Sequence, residues 1–335
     1  MKYPNANNLA AWLTLAMILA LTGCTKVKPP GTPLVLATNA VDVAGTTNGP
    51  VTVKVKWLAG KTYHLRMESL QSWETVSPPQ EPSARPTLGI THDYAISVLK
   101  ELADGGQELQ LEFVAQKMFY QIGEVPMMSF DSAQSAAQDA GNPVATVLRQ
   151  LTGAKLRCTT DARGRMTKVD GFTELQERMA GGNSQVKAML EQFFNEVNLR
   201  QMFSCATGLS ADDPVHEGDT WPVHLETPDP LGLMVIDGNC TLKGWEPQGD
   251  RHCVRVEYLG SVSSQPDPNG SANPSKITAG TVSGKAWVDP ALGMLVNCAT
   301  EQHLDLETTA HGKTTTSKYH LTLNFRLLKV DEDRF

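Results

Sequence analysis

Strand after strand of alternating apolar and polar residues is the feature that most constrains how this 335-residue chain can fold. Residues 51–57 carry an apolar side chain at every second position, and residues 321–327 repeat the pattern far along the sequence. A period of two directs alternate side chains to opposite faces of a strand, so each such strand buries one face. Because these strands follow one another without helices in two long stretches, we expect antiparallel pairing.

Turn residues mark where the predicted strands end. Asp104-Gly105-Gly106 and the turn Asp161–Gly164 each have the composition of a hairpin turn. We place strands at 51–57, from Tyr63 onward with Leu65 and Met67 on one face, and at 88–102, 107–120, 221–226, 233–245, 251–261, 277–289, 293–307 and 316–329.

The middle of the sequence changes to a helical period. Asn142 followed by Pro143 predicts a helix start, with asparagine as the N-cap and proline in the first turn. A second helical stretch is broken at Gly181-Gly182, and beyond it residues 186–197 form a broad apolar stripe that we interpret as core. The predicted fold is α+β, mainly β: two antiparallel, curved sheets with helices inserted between them.

The first 24 residues have the form of a bacterial secretion signal. The run Leu9–Leu21 is 13 residues long and almost wholly apolar, which is short of the ~20 apolar residues that span a bilayer. Leu21–Cys24 resembles the lipobox of bacterial lipoproteins, in which a peptidase cuts before a lipid-modified cysteine. The resemblance implies that Cys24 becomes the first mature residue and carries acyl chains such as palmitate. An ordinary cleaved signal with a cysteine there by chance is the alternative.

The residue after the cysteine bears on the choice of membrane. In Gram-negative lipoproteins an aspartate at this position is the family's signal for retention in the inner membrane. Thr25 stands there instead. The resemblance therefore favours an anchor in the outer membrane, facing the periplasm or the surface, in a cell that has one, and leaves the choice of membrane open.

These patterns divide the chain into four segments. Residues 1–23 are the predicted lipoprotein signal peptide, and residues 24–50, rich in Pro, Gly, Thr and Asn, form a flexible tether. Residues 51–210 make an N-terminal β region with the helical segment. Residues 211–335 make a C-terminal antiparallel β region.

Composition excludes some classes of partner. The net charge is −7 and no run of five like charges occurs, so neither nucleic acid nor a polybasic membrane contact is expected. Aromatic residues are only 6% of the chain, which argues against a surface that stacks sugars. The membrane is then expected to be reached through acylated Cys24.

The five cysteines after Cys24 are an odd number and cannot all pair within one chain. Cys240 and Cys253 flank a predicted hairpin turn, but the alternation places them on opposite faces, so a bridge between them would need a bulge. We expect mostly buried free thiols. The pairing among the five remains open: Cys158, Cys205, Cys240, Cys253 and Cys298.

No motif for a catalytic site, a cofactor or a structural metal is present in the sequence. His303, His311 and His320 fall in the last two strands or their turn, where they could converge in space. Polar strand faces need outward residues of some kind, so we expect no metal site there. The acid pair Asp212-Asp213 and the acids at Asp331 and Asp333 are expected to be solvated surface.

Several short pieces, in their order, resemble an uncharacterised family of secreted bacterial lipoproteins with a domain of unknown function. The resemblance covers roughly residues 50–330 and brings no catalytic residues with it. The pieces are 57–63, Phe130-Asp131-Ser132, 161–172, Gly218–Trp221 and the turn 289–293. We interpret Gly218–Trp221 as a tight turn that leads a buried Trp into a strand.

The function expected from the sequence is that of a non-enzymatic, lipid-anchored envelope protein that binds an apolar ligand or a protein partner. A curved sheet covered by helices can enclose an apolar cavity, the usual form of a small-molecule site. Two alternatives stay open: an envelope hydrolase with a dispersed active site, and an adhesin-like surface module with an exposed apolar patch.

Overall fold

The computed structural model describes residues 49–77, 85–139, 142–184, 207–229, 232–265, 275–310 and 312–332, together with isolated residues between 186 and 203. The predicted signal peptide, Cys24 and nearly all of the tether lie outside the described residues. So do Cys205, His311 and Asp333.

Strands dominate the described part of the chain. The strands are β1 Lys61–Ser77, β2 Pro86–Glu101, β3 Gln107–Ile122, β4 Val125–Asp131, β5 Lys155–Thr160, β6 Met166–Asp170, β7 Thr220–Asp229, β8 Gly232–Gln248, β9 Arg251–Gln265, β10 Ser275–Asp289, β11 Met294–Ala310 and β12 Lys313–Glu332. The helices are a short 3-10 turn at Ala136–Asp139, α1 at Pro143–Leu151 and α2 at Phe172–Ala180. No helix among the described residues is both long and apolar enough to cross a membrane.

The predicted α+β class with two sheets and helices between them is wrong. All described strands join one 12-stranded antiparallel sheet, in the order β6-β5-β3-β2-β1-β12-β11-β10-β9-β8-β7 with β4 paired beside β3. The two groups of strands become one sheet because β1 pairs with β12 along almost its whole length. This pairing joins strands from near the two ends of the described chain. The predicted division between 210 and 211 lies before β7 and stays a prediction.

A short segment, Val51–Trp57, ties the two edges of the sheet together; we call it the strap. Val51 exchanges backbone hydrogen bonds of 2.7 and 2.9 Å with Val215, shortly before edge strand β7. At its other end, Trp57 Nε1 donates to the Gly164 carbonyl at 3.2 Å, beside edge strand β6.

The strap shows that the sheet is strongly curled. Eleven strands at ~4.8 Å spacing would span about 48 Å if the sheet were flat. Six extended residue steps reach only about 20 Å. The edges must therefore curve toward one another, and an ion pair of 3.2 Å between Arg163 and Asp212 links them directly.

The core lies on one face of this curled sheet, which we call the inner face. Tyr63, Tyr94, Phe113 and Phe325 are each at most 1% exposed there. Helical residues pack against them, among them Phe172, Leu175, Met179, Leu190, Leu199 and Phe203. The helices thus cover the inner face of one sheet instead of separating two.

Beyond this core the long strands continue away from the strap. A second apolar cluster lies there on the inner face, formed by Val262, Val282 and Leu304. Its neighbours Met234 and Tyr319 are only partly buried. Apolar side chains therefore occur along the length of the inner face, but they are less completely covered at this far end.

Candidate functional site

Three polar side chains interrupt the apolar inner face on strands β2 and β3. His92 on β2 lies directly opposite Gln116 on β3, and Tyr120 follows four pairs further along on the same face, opposite Leu88. The register continues the row sideways, because Met67 on β1 lies opposite His92. These three side chains form what we call the inner-face polar row.

The polar atoms of this row are buried and lack partners. Gln116 and Tyr120 are each 2% exposed. Four buried atoms form no hydrogen bond with the protein: His92 Nδ1, Gln116 Nε2, Gln116 Oε1 and Tyr120 Oη. Such a group costs about 1–3 kcal/mol when left unsatisfied, and native proteins almost always supply a partner. A bound molecule or ordered water is needed to satisfy four atoms in one row.

The polar row is electrically neutral at physiological pH. Burial lowers the pKa of His92 to about 4, although the neighbouring Asp93 acts in the opposite direction. Burial also raises the pKa of Tyr120. The imidazole and the phenol are therefore uncharged at pH 7 and offer hydrogen bonds without a full charge. Such a row suits a neutral polar group better than an ion.

The side chains around the polar row are apolar and aromatic. Met67 and Phe130 are 4% and 5% exposed. The rings of Trp73 and Tyr120 lie 6.2 Å apart, and those of His92 and Tyr94 lie 5.6 Å apart. A few hydrogen-bonding groups within an apolar wall are the usual composition of a small-molecule site.

A second layer of contacts fixes the backbone beneath Gln116. The Gln116 amide donates to Ser132 Oγ at 2.9 Å, and the Ser132 amide donates back to the Gln116 carbonyl at 2.9 Å. Arg149 on α1 donates to the Ser132 carbonyl at 3.0 Å and pairs with Asp139. Its guanidinium also lies over the Phe130 ring at 5.3 Å. Helix α1 is thereby held beside the polar row.

The helix start that positions Arg149 is as predicted. The Asn142 side chain accepts from the Ala145 amide at 3.1 Å, and Pro143 occupies the first turn. Thus the N-cap prediction is confirmed.

A separate surface cavity of about 380 Å³ opens at the start of α2. Its lining combines Phe172 and Gln176 with the acids Asp170, Glu174 and Glu196. Two of these acids are already engaged, since Glu196 accepts from the Val169 amide at 3.3 Å and Asp170 pairs with Lys168 at 2.7 Å. The described lining holds no histidine or cysteine, and no acid–base pair is formed within it.

Four of the predicted free thiols are confirmed as buried and unpaired: Cys158, Cys240, Cys253 and Cys298. Burial raises the pKa of Cys158, Cys240 and Cys253 to about 12. These thiols are protonated at pH 7 and are not nucleophiles.

The other candidate residues from the sequence lie in different surroundings in the structure. Asp212 pairs with Arg163 at the surface, as expected of a solvated acid. His303 and His320 do come together, with Glu301 between them, on the outer face of the sheet. Cys24, the predicted lipidation site, remains a prediction.

Sequence reasoning missed the inner-face polar row, and a β-bulge explains why. Strict alternation from Leu111 and Phe113 would direct Ala115 inward and Gln116 outward. The register of β3 shifts between its partners Asp93 and Tyr94, which leaves Val114 as an extra residue. Gln116 is turned inward as a result.

The comparisons with known proteins give a family but no function. The family model described as "Family of unknown function (DUF6263)" matches residues 104–295, more than half of the chain. No curated protein matches the chain.

Solved structures show a distant likeness. The chain is similar to a lipovitellin studied for its lipid–protein interactions, at 10% identity and a TM-score of 0.49, over 84% of this chain and 26% of that one. This chain thus spans about a quarter of the lipovitellin chain. It is also similar to DynF of the dynemicin biosynthesis pathway of Micromonospora chersina, at 9% identity and a TM-score of 0.24, over 89% and 94% of the two chains.

A third similar structure is an exported-protein candidate with a YmcC-like fold from Bacteroides fragilis. Its identity is 11% and its TM-score 0.25, over 84% of this chain and all of that one. Likeness at these values carries no argument about ligand or activity.

Proposed function

We propose a function from the geometry of this chain, because it belongs to the family of unknown function DUF6263 and that membership brings no activity. The proposed function is that of a non-enzymatic, lipid-anchored envelope protein whose inner face binds an amphipathic ligand. The ligand is mainly apolar and carries a neutral hydrogen-bonding group, such as an ester or amide. Its apolar body lies along the curled sheet.

The observation that carries this proposal is the inner-face polar row. Gln116 offers both a donor and an acceptor, and Tyr120 adds a hydroxyl, all buried and without partners. An ester or amide carbonyl with its neighbouring polar atoms supplies such partners, whereas a hydrocarbon alone does not. The partly buried apolar residues of the far end extend the same face for an apolar chain.

The location proposed with this function follows from the N-terminal pattern. Acylated Cys24 holds the protein in the outer membrane, and the tether 24–50 lifts the body away from the bilayer. Several acyl chains on one cysteine anchor stably, whereas one chain alone is marginal. A body so placed is presented with amphipathic molecules of the envelope.

The direct test is native mass spectrometry of residues 48–335 purified from a bacterial periplasm. We expect a reproducible added mass that is lost on denaturation and identified as an amphipathic molecule. Gln116→Leu should lose most of this mass, because leucine removes both hydrogen-bonding atoms while keeping similar volume.

Gln176→Leu is the matched control. Gln176 is also a buried glutamine, at 8% exposure, but its Nε2 donates to the Phe194 carbonyl at 2.7 Å. This variant should keep the added mass and lose about 1–3 kcal/mol of stability. Gln116→Leu should leave the ligand-free body equally or more stable, since no bond is lost. A clean, unliganded mass for the wild-type body would contradict the proposal and direct the search to protein partners.

A further inference from the structure

Two histidines and a glutamate meet on the outer face of the sheet, away from the inner-face polar row. His303 on β11 lies directly opposite His320 on β12. Glu301 precedes His303 by two residues and therefore shares its face. The two imidazole rings are stacked, with centroids 4.4 Å apart and planes 4° from parallel.

The three side chains converge through their ligating atoms. Glu301 Oε1 lies 3.1 Å from His303 Nε2 and 2.9 Å from His320 Nε2. The three ligating atoms all lie within 4.8 Å of one another. Zinc binds imidazole nitrogen and carboxylate oxygen at about 2.0–2.2 Å, which sets neighbouring ligands of a tetrahedral ion ~3.3 Å apart. Small side-chain adjustments bring this cluster to that spacing.

We propose that Glu301, His303 and His320 bind a divalent transition-metal ion, best matched by zinc. Two imidazoles and one carboxylate are a borderline donor set that favours zinc and its neighbours over calcium or magnesium. Three protein ligands leave one tetrahedral position for water. The site pins β11 to β12, because one ligand comes from β12 and two come from β11.

The surroundings leave room for an ion and offer little competition. The side chains of Glu301, His303 and His320 are 52%, 58% and 40% exposed. In the register, Ser72 lies opposite His320 and Thr281 lies opposite His303, so these neighbouring positions hold small side chains. Among the described residues, the ion pairs of Glu301 are with these two histidines and with no lysine or arginine.

Comparison with His224, a surface histidine that also lies among carboxylates, shows why two imidazoles are needed for the proposed metal site. His224 lies 2.6 Å from an Asp237 oxygen and 3.3 Å from a Glu226 oxygen, also at the surface. It supplies one imidazole where the β11–β12 cluster supplies two. Only the latter has the nitrogen-rich donor set that separates zinc from oxygen-seeking ions.

The test is titration of the full chain with zinc, in mild detergent and without a polyhistidine tag. We expect one equivalent to bind with a Kd in the micromolar range or below, measured against a chelating dye. His303→Ala and His320→Ala should each weaken zinc binding at least about tenfold, as lost ligand-shell groups do. Glu301→Gln should also weaken it.

The matched control is His216→Ala. His216 is equally exposed and stands 3.5 Å from the Asp219 carboxylate, but it has one imidazole only. Its affinity for zinc should equal that of the wild type, with every variant checked for fold by circular dichroism. Visible absorption of bound cobalt, substituted for zinc, should show a low-coordinate site that His303→Ala abolishes. Absence of saturable binding, or binding unchanged in both histidine variants, would overturn the proposal.

Discussion

At the scale of single residues, His92 links the stability of the fold to pH. Its pKa is about 4 in the folded protein because of burial, against the usual 6.5. Above pH 6.5 the imidazole is neutral in both folded and unfolded chains. As the pH falls below 6.5, only the unfolded chain takes up the proton. Stability is therefore lost progressively between pH 6.5 and 4, by about 3 kcal/mol in all.

His92→Leu should remove this part of the acid sensitivity. The variant keeps an apolar side chain of similar size and discards an imidazole whose Nδ1 has no partner. Urea unfolding at pH 7 and pH 4.5 should show a smaller loss of stability than in the wild type, by about 2–3 kcal/mol. The exposed His216→Leu variant should behave like the wild type. Equal acid losses in His92→Leu and wild type would show that His92 titrates normally.

Residue identity alone does not reveal which side chains face inward. Burial of Cys240 and Cys298 follows from their place in the apolar alternation and is confirmed. The inward turn of Gln116 depends on the extra residue Val114 in β3. A bulge is a relation between two strands, so the pattern of one strand does not contain it.

At the scale of elements, the strap holds the curled sheet closed. Its four buried side chains alternate with more exposed ones, and Trp57 packs edge-on against Tyr63 with centroids 5.3 Å apart. Two turns, 161–164 and 289–293, accept hydrogen bonds from the strap: Trp57 Nε1 donates to the Gly164 carbonyl, and the Lys56 amide donates to the Gly293 carbonyl at 2.6 Å. The strap thus contributes side chains to the core and also ties the two edges of the sheet together.

Trp57→Ala should destabilise the fold by about 3–5 kcal/mol, because it empties a buried site and breaks the bond to Gly164. Thr52→Ala is the matched control, since Thr52 lies on the same strap but is exposed. Its effect should stay within about 0.5 kcal/mol. Both free energies are measured by urea unfolding, monitored by far-UV circular dichroism so that the signal does not depend on Trp57. A loss below about 1 kcal/mol for Trp57→Ala would mean that the strap is not a clasp.

Local elements are predictable from this sequence, and their partners are not. The hairpin between β2 and β3 and the helix end at Gly181 were visible because turn and cap residues act within a few positions. The buried Trp221 at the start of β7 is confirmed too, with its Nε1 donating to the Leu209 carbonyl at 3.3 Å. Pairing of β1 with β12 joins residues that are 239 to 271 positions apart in the sequence. Because the two strands are so far apart in the sequence, local patterns could not predict that they join one sheet.

At the scale of the whole molecule, one curled sheet explains why the helices were misplaced. An apolar helix face indicates that something covers it, and two sheets around the helices satisfy that requirement as well as one. The strap distinguishes the one-sheet arrangement from the two-sheet arrangement, because it binds near both edges of the same sheet and holds them close together. The inner face then becomes the one large apolar surface to which the described helices, the polar row and the far-end cluster all belong.

The attachment of this body to a membrane is the remaining whole-molecule prediction, and it depends on Cys24. If Cys24 carries two or more acyl chains, the full chain should partition into the detergent phase of a Triton X-114 extract and take up labelled palmitate. Cys24→Ser should move to the aqueous phase, because each buried methylene contributes about 0.8 kcal/mol and all of them are lost. Cys298→Ala, which also removes one thiol, should stay with the detergent.

The membrane itself is tested by the next residue. Thr25→Asp should shift the acylated protein from the outer-membrane to the inner-membrane fraction of a Gram-negative host, as the lipoprotein pattern implies. The body is unchanged in this variant, so the occupancy of its inner face becomes a readout of where its ligand is found. Loss of the ligand mass from the full-length Thr25→Asp protein, extracted in detergent and compared with the full-length wild type, would place the ligand's source at the outer membrane. The anchor itself is contradicted if the wild type and Cys24→Ser partition into the same phase of the Triton X-114 extract.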